Sequence, residues 1–241
     1  MSIDMQQIIL GDMSIDVVHK DIKNVHLSVY PSNGKVKISA PLRMDLDTIR
    51  VFAISKKSWI NKQQIKLQNQ EREMPRYYIT RESHYYLGKR YLLKVIEHNT
   101  PPKVVIKHET IELYIRSGTN SDKRKKILDE WYRKRLKEII LTVITQYEES
   151  MKVNVVEFAI KKMKTKWGTC NIEAKRIWLN LELAKKPREC IEYVVVHEMT
   201  HLLERHHNEE FIAYLSKFIP KWEFYREMLN KSPLRNEKWI R

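Results

Sequence analysis

Apolar and polar positions alternate through much of the first half of the chain. Residues 25–29 and 36–40 each place an apolar side chain at every second position, and Pro31-Ser-Asn-Gly34 separates the two runs. A period of two is typical of half-buried strands, and the turn residues between the runs predict a hairpin. Similar runs predict further strands over residues 77–80, 84–87, 91–97, 104–108 and 111–116.

A different period interrupts these strands. Over residues 49–63, apolar side chains recur at three- and four-residue steps, following the cap region Asp45-Leu-Asp47. This spacing predicts one helix, because side chains three and four residues apart share a helix face. Residues 1–117 are therefore predicted to form a mostly antiparallel β unit with one helix.

The pattern changes after the polar segment Ser117-Gly-Thr-Asn-Ser121. Residues 128–147 have helical spacing over a long stretch, and strand-like runs follow at 155–166 and 176–182. Further helices are predicted to start near Pro187, Asn208 and Pro220. The chain is thus predicted to have an α+β fold with a β-rich domain (1–117), a second α+β domain (118–231) and a C-terminal tail (232–241).

Composition narrows the function classes. The 241 residues contain 45 Lys and Arg against 30 Asp and Glu, which gives a formal charge of +15. This excess attracts polyanions, so nucleic acid is a candidate partner through basic runs such as Lys123-Arg-Lys-Lys126. No apolar run reaches the roughly 18 residues of a membrane span, and the first residues have no secretory-signal pattern. Cys170 and Cys190 form no paired motif, so we expect a soluble, cytoplasmic protein without disulfides.

The most informative segment is His197-Glu198-Met199-Thr200-His201. Two histidines four residues apart lie on the same face of a helix, so both imidazoles can bind one metal ion. Zinc in catalytic sites takes three protein ligands and keeps one position for water. Glu198 follows the first histidine and can act on that water as a general base.

A third ligand has to come from beyond this helix. A residue ten positions after His197 lies about 15 Å along a continuous helix axis, so the chain must turn back. The candidates after this turn are the neighbouring histidines His206 and His207, and the carboxylates Glu209, Glu210 and Glu223. We favour His207, because ten residues separate the first and third ligands in His-Glu-x-x-His-x-x-Gly-x-x-His metallopeptidases, although Glu204 occupies the glycine position.

Several blocks of the second half resemble the YgjP-like zinc metallopeptidases, distant relatives of SprT-like peptidases. They are Trp167-Gly168-Thr169-Cys170, the His197–His201 segment and His207-Asn-Glu-Glu-Phe211, in that order. The resemblance implies a zincin-like metallopeptidase domain, a zinc cofactor, a protein or peptide substrate, and His207 as third ligand. The chain departs from the family's usual residues with His206 for Asn, Asn208 for Ser and Thr169 for Ser.

These residues together predict peptide hydrolysis by metal-activated water, with Glu198 as the base. Trp167 and Asn180 are candidates for substrate contact, although core packing of Trp167 and a satisfied turn amide at Asn180 are equally compatible with the sequence. We expect the strand over residues 176–182 to offer a free edge to an extended peptide. A carboxylate or a carbonyl should orient each imidazole through its other nitrogen, and Glu192, Glu204, Glu209 and Glu210 are nearby candidates. The alternatives are a non-peptidase zinc amidohydrolase, a nucleic-acid-associated module, or a protease that acts on nucleoprotein.

Overall fold

The chain divides into two compact units. The computed structural model describes residues 5–30, 34–68, 72–73, 76–163, 166–231 and 234–235. The first unit comprises Met1–Pro75 together with Lys231–Arg241, and the second comprises Arg76–Asn230. The division therefore falls about forty residues before the boundary at 117 that the sequence predicts.

The first unit contains a four-stranded sheet. Its strands are β1 (Met5–Leu10), β2 (Met13–Lys20), β3 (His26–Val29) and β4 (Val36–Pro41), in the order β1-β2-β4-β3. The predicted pairing of residues 25–29 with 36–40 is confirmed as β3 and β4, which are antiparallel, and residues 31–33 of the turn lie outside the described residues. β2 and β4 pair in parallel, so the sheet is mixed.

Two helices occupy the region where the sequence predicts one. α1 (Leu46–Ser55) is capped by Asp45, whose Oδ1 accepts from the Thr48 N–H at 2.7 Å, and α2 (Lys57–Gln68) follows after a break at Lys56. The Lys56 backbone leaves helical geometry there, while buried residues on both helices continue the same apolar stripe. Periodicity therefore identified Ile49, Ala53 and Ile60 as buried, but Trp59 of the same stripe is exposed, and the spacing did not reveal the break. The two-residue strand β5 (Arg72–Glu73) comes next.

The second unit begins with another mixed sheet. It consists of β6 (Ser83–Tyr86), β7 (Lys89–Glu97), β8 (Lys103–Lys107) and β9 (Thr110–Ile115), with β7 and β9 in parallel. The predicted strand over residues 77–80 is wrong. Tyr78 has a left-handed backbone, and the carboxylate of Glu82 accepts hydrogen bonds from the N–H groups of Tyr77 and Tyr78, which satisfies them without a strand partner.

This sheet shares one core with the helices that follow, which explains where the chain divides. In α3 (Ser121–Met151), the hydroxyl of Tyr132 donates a hydrogen bond to the Tyr85 carbonyl oxygen of β6 at 2.8 Å. The β6–β7 turn also donates its Leu87 and Gly88 N–H groups to carbonyl oxygens of a 3₁₀ helix, Leu181–Lys185. Gly88 has a φ of +79°, and a Cβ there would lie 2.8 Å from the Pro187 ring, so both conformation and space require glycine.

A three-stranded sheet forms one wall of the later part of the unit. Its strands are β10 (Glu157–Lys161), β11 (Gly168–Asn171) and β12 (Arg176–Asn180), in the order β10-β12-β11. β12 pairs with β10 in parallel and with β11 in antiparallel orientation. The expectation that the strand at 176–182 presents a free edge is therefore wrong, because β12 is central and β11 lies at the edge.

Three helices complete the unit, and each begins near its predicted residue. They are α4 (Arg188–Thr200), α5 (Glu209–Phe218) and α6 (Trp222–Asn230). A final short strand, β13 (Leu234–Arg235), pairs in parallel with β5, and the rest of the predicted tail at 232–241 lies outside the described residues. Among the helices described, none combines the length and the apolar character that crossing a membrane requires.

Candidate active site

The two histidines of the central motif lie at the end of α4, His197 in its last turn and His201 at its C-cap. The helix is anchored by its apolar side chains, since Val195, Val196 and Met199 are all fully buried. Their burial turns His197 and His201 towards a cleft of about 930 Å³, which both residues line. The ring centroids of the two imidazoles lie 5.2 Å apart. The two histidines that the helical spacing predicts to lie side by side therefore do so, at the wall of the cleft.

The chain turns back after α4 and brings a third histidine to the pair. One ring nitrogen each of His197, His201 and His207 lies within 4.8 Å of the others, and 3.1 Å separates Nε2 of His197 from Nε2 of His207. His206 is exposed and takes no part in this group, and its N–H donates to the Glu204 carboxylate. Of the candidate third ligands, the structure brings His207 to the site.

The three histidines form a donor set that fits a zinc ion. Nitrogen ligands of a tetrahedral zinc ion, at about 2.0–2.1 Å, lie roughly 3.3 Å apart, close to the His197–His207 separation. Burial lowers the pKa of His197 to about 3, with smaller contributions from its two neighbouring histidines, and burial also lowers the pKa of His201. Neutral imidazoles keep a lone pair, so these two residues are in the form that binds metal.

Hydrogen bonding further defines His201. Its Nδ1 lies 3.3 Å from the Glu204 carbonyl oxygen, which can only accept, so Nδ1 carries the proton and Nε2 is left with its lone pair. The group that orients His201 is thus a backbone carbonyl, one of the two kinds of partner expected from the sequence. Glu192 instead accepts from the Tyr147 hydroxyl at 2.6 Å, which links α4 to α3.

Glu198 is buried against the edge strand. Only 6% of the residue is exposed, and burial raises the pKa of its carboxyl group to about 8, while the nearby positive charge of Lys166 acts in the opposite direction. A Cβ on Gly168 would lie 2.6 Å from Oε1 of Glu198 and 2.9 Å from its carboxyl carbon. The carboxylate therefore occupies space that any other residue at position 168 would fill.

The two candidate substrate residues have different surroundings. Trp167 lines the cleft and is half-buried, with the Lys186 ammonium 5.5 Å from its ring centroid. Asn180 is 5% exposed, and its Nδ2 donates to the carbonyl oxygens of Met163 and Lys166, each at 2.9 Å. The structure thus places Asn180 as a satisfied amide that holds the segment before β11, and places Trp167 at the cleft.

Sequence reasoning missed several residues that the structure brings to this site. Tyr193 lies four residues before His197 on α4 and stacks edge-on against it, with ring centroids 5.8 Å apart. Helical spacing could have indicated this contact. Lys166 and Arg205 also line the cleft, as do Cys170 and its two neighbours in β11. Burial raises the pKa of the Cys170 thiol to about 11, so this residue offers no thiolate ligand.

Comparison with models of known protein families shows the family of this chain. A family model described as YgjP-like, metallopeptidase domain, matches residues 23–232, which is most of the sequence. The chain belongs to the YgjP-like metallopeptidase family. This membership makes it a hydrolase with protein or peptide substrates, and implies a metal ion. The resemblance read from the sequence blocks is thereby confirmed.

Solved structures give a weaker likeness. The metallopeptidase zymogen abylysin of Pyrococcus abyssi is 14% identical with a TM-score of 0.34, over 39% of this chain and 90% of that one. The zymogen jannalysin of Methanocaldococcus jannaschii is 20% identical with a TM-score of 0.33, over 39% and 92%. At these scores neither structure bears on the site. A search of curated proteins finds none that matches the chain.

Proposed function

We propose that this YgjP-like protein is a zinc-dependent peptidase in which His197, His201 and His207 hold the ion and Glu198 is the general base. The observation that carries the proposal is the convergence of three imidazole nitrogens within 4.8 Å of one another, beside a buried carboxylate. Three imidazole ligands would leave the charge of a divalent ion uncompensated and one position free for water, as in catalytic zinc sites with three histidines. When bound, zinc would polarise a carbonyl and lower the pKa of water to about 7.

Glu198 supports the proposal through its position on α4. Glu198 follows His197 in the chain and lines the same cleft, but it is not a member of the group of three histidines. It can take the proton of the attacking water and deliver it to the leaving amine, so no covalent intermediate with the chain is needed. Burial favours the protonated form of Glu198, Lys166 acts in the opposite direction, and a bound divalent ion would further favour the ionised form that accepts the proton.

The edge strand β11 suits an extended substrate. The Asn180 N–H donates to the Trp167 carbonyl oxygen at 2.8 Å, and bonded pairs alternate along an antiparallel ladder. The backbone groups of Thr169 therefore face β12, while those of Gly168 and Cys170 face away from it. We propose that a peptide adds to this edge as a further strand, through backbone contacts that every peptide can make.

The absence of a side chain at Gly168 leaves room for the Glu198 carboxylate, and a substitution tests this contact. In a Gly168→Ala protein the new methyl group would overlap the Glu198 carboxylate and displace it. Displacement of a catalytic group by about 1 Å can lower the rate about 100-fold, so we expect kcat to fall about 10- to 100-fold. Steady-state kinetics would measure the fall, and metal analysis should find zinc binding unchanged, because the three atoms nearest the new methyl group all belong to Glu198.

A Thr169→Ala variant is the matched control for this prediction. Thr169 is adjacent in β11, and its side chain lies on the opposite face of the strand from the side that meets Glu198. If Gly168→Ala keeps the wild-type kcat, or if it loses zinc as well as activity, then the contact between the glycine and the carboxylate does not set the position of the base.

Metal removal tests the function directly. We expect the purified protein to cleave peptides of unrelated sequence, to lose this activity with a chelator, and to regain it when zinc is added back. Small amides should be included in the same panel, since the same groups could hydrolyse other carbonyl compounds. Cleavage of small amides without cleavage of any peptide would favour the alternative of an amidohydrolase, and activity that survives complete metal removal would contradict the proposal.

Nucleic-acid binding stays a prediction from the charge of the chain. The basic run at the start of α3 contributes Lys123 and Lys126 to a second cavity of about 550 Å³, together with Arg116 and Glu130. Arg124 of the same run instead donates to the carbonyl oxygens of Thr119 and Tyr78. This concentration of positive charge favours a polyanion as a second partner, and the proposed peptidase reaction does not depend on it.

A further inference from the structure

One aromatic ring lies against all three histidines of the site. The ring centroid of Phe211 is 5.0 Å from that of His197, 4.8 Å from that of His201 and 4.6 Å from that of His207. Phe211 is fully buried, and it lies in the first turn of α5, which follows the third histidine directly. Tyr193, by comparison, stacks against His197 alone among the three.

Among the three histidines, His207 is the one whose position is not fixed by a helix. His197 and His201 are fixed by the backbone of α4, whereas His207 comes from an exposed, irregular segment between two helices. Asn208 links this segment to the ring, because its Oδ1 accepts from the Phe211 N–H at 2.9 Å and caps α5. The cap fixes the backbone on one side of His207, and the phenyl ring fixes the imidazole.

We propose that Phe211 is a positioning residue that holds the three imidazoles in their ligating arrangement before the ion binds. This inference rests on the metal-binding role proposed for the histidines. Side chains that are already ordered lose less conformational freedom on binding, so affinity rises without any added ligand. The contacts with three rings distinguish this role from simple filling of the core, which an aliphatic side chain could also perform.

The affinity for zinc tests the role without reference to peptide cleavage. In a Phe211→Leu protein we expect zinc to bind about 10- to 100-fold more weakly, the range typical for residues that support metal ligands. Competition with a chromophoric chelator would measure the dissociation constant. With cobalt as the probe, the visible absorption spectrum of the fully loaded variant should also differ from that of the wild type, because the ligand geometry is less well defined.

Leu215→Ala is the matched control. Leu215 lies one turn further along α5, is 1% exposed, and packs in the same core. This change removes buried apolar contacts from the same helix, so it lowers stability, but we expect zinc affinity to change by no more than about twofold. If Phe211→Leu does not fold, Phe211→Met provides an unbranched, flexible side chain that can adapt to the space left by the ring, and it allows the same comparison.

The outcomes separate this inference from the proposed function. Wild-type zinc affinity in the Phe211 variant would overturn the positioning role and leave the peptidase proposal intact. Equal weakening in Phe211→Leu and Leu215→Ala would also overturn it, since general packing would then account for the loss. A wild-type protein that binds no zinc would overturn the proposed function first.

Discussion

A Glu198→Gln protein should bind zinc in full and cleave peptides far more slowly than the wild type. Glutamine has nearly the same shape as glutamate but cannot accept the proton, so the proposed base is lost while the packing against Gly168 is kept. General acid and base groups contribute about 10²- to 10⁴-fold to a rate, and we expect kcat to fall by that amount. Steady-state kinetics at saturating zinc, with metal analysis of the same sample, would measure both quantities.

Glu189→Gln provides the comparison for this variant. Glu189 is an exposed carboxylate in the first turn of the same helix, about 13 Å along the axis from Glu198. Its loss changes the net charge by the same amount, and we expect kcat to stay within about twofold of the wild type. A Glu198→Gln protein with wild-type kcat would show that another group moves the proton.

Replacing His207 with alanine should abolish tight zinc binding, whereas the same change at His206 should not. The nitrogen of His207 lies 3.1 Å from that of His197, while His206 is outside the group of three. Loss of a direct ligand should cost more than the roughly 10- to 100-fold typical of supporting residues, so we expect zinc to bind over about 100-fold more weakly. Chelator competition and metal analysis of the purified protein would measure the effect.

The two variants differ only in which of two adjacent histidines is removed, so each serves as the control for the other. We expect zinc affinity in His206→Ala to stay within about twofold of the wild type. If instead His206→Ala loses the metal and His207→Ala keeps it, the ligand is His206. If both variants keep zinc, a carboxylate such as Glu210 or Glu223 supplies the third ligand.

Much of the local structure followed from the order of residue types. The starts of α4, α5 and α6 were predictable, because Pro187, Asn208 and Pro220 are residue types typical of the beginnings of helices. The hairpin of β3 and β4 was predictable from alternation and turn residues. Helix starts and hairpin turns depend on residues that are close together in the sequence, so the local sequence is sufficient to predict them.

Predictions that depended on distant partners were less accurate. The sequence predicts a free edge at the strand over residues 176–182, but β12 pairs with both β10 and β11, which leaves β11 at the edge. The pattern predicts a strand over residues 77–80, but the Glu82 carboxylate accepts from the N–H groups of Tyr77 and Tyr78. The pattern of apolar residues shows that a segment is extended or half-buried, but it does not show which groups accept its hydrogen bonds.

The same distinction holds for the site. The sequence by itself determined the pairing of His197 with His201 and the nearness of Glu198, because a helix places residues one and four positions apart at known angles. Only the tertiary structure decided that His207 and not His206 joins them, that Phe211 contacts all three rings, and that Gly168 leaves room for the Glu198 carboxylate. Those relations depend on how an irregular turn and a separate strand pack against α4, and no local spacing specifies such packing.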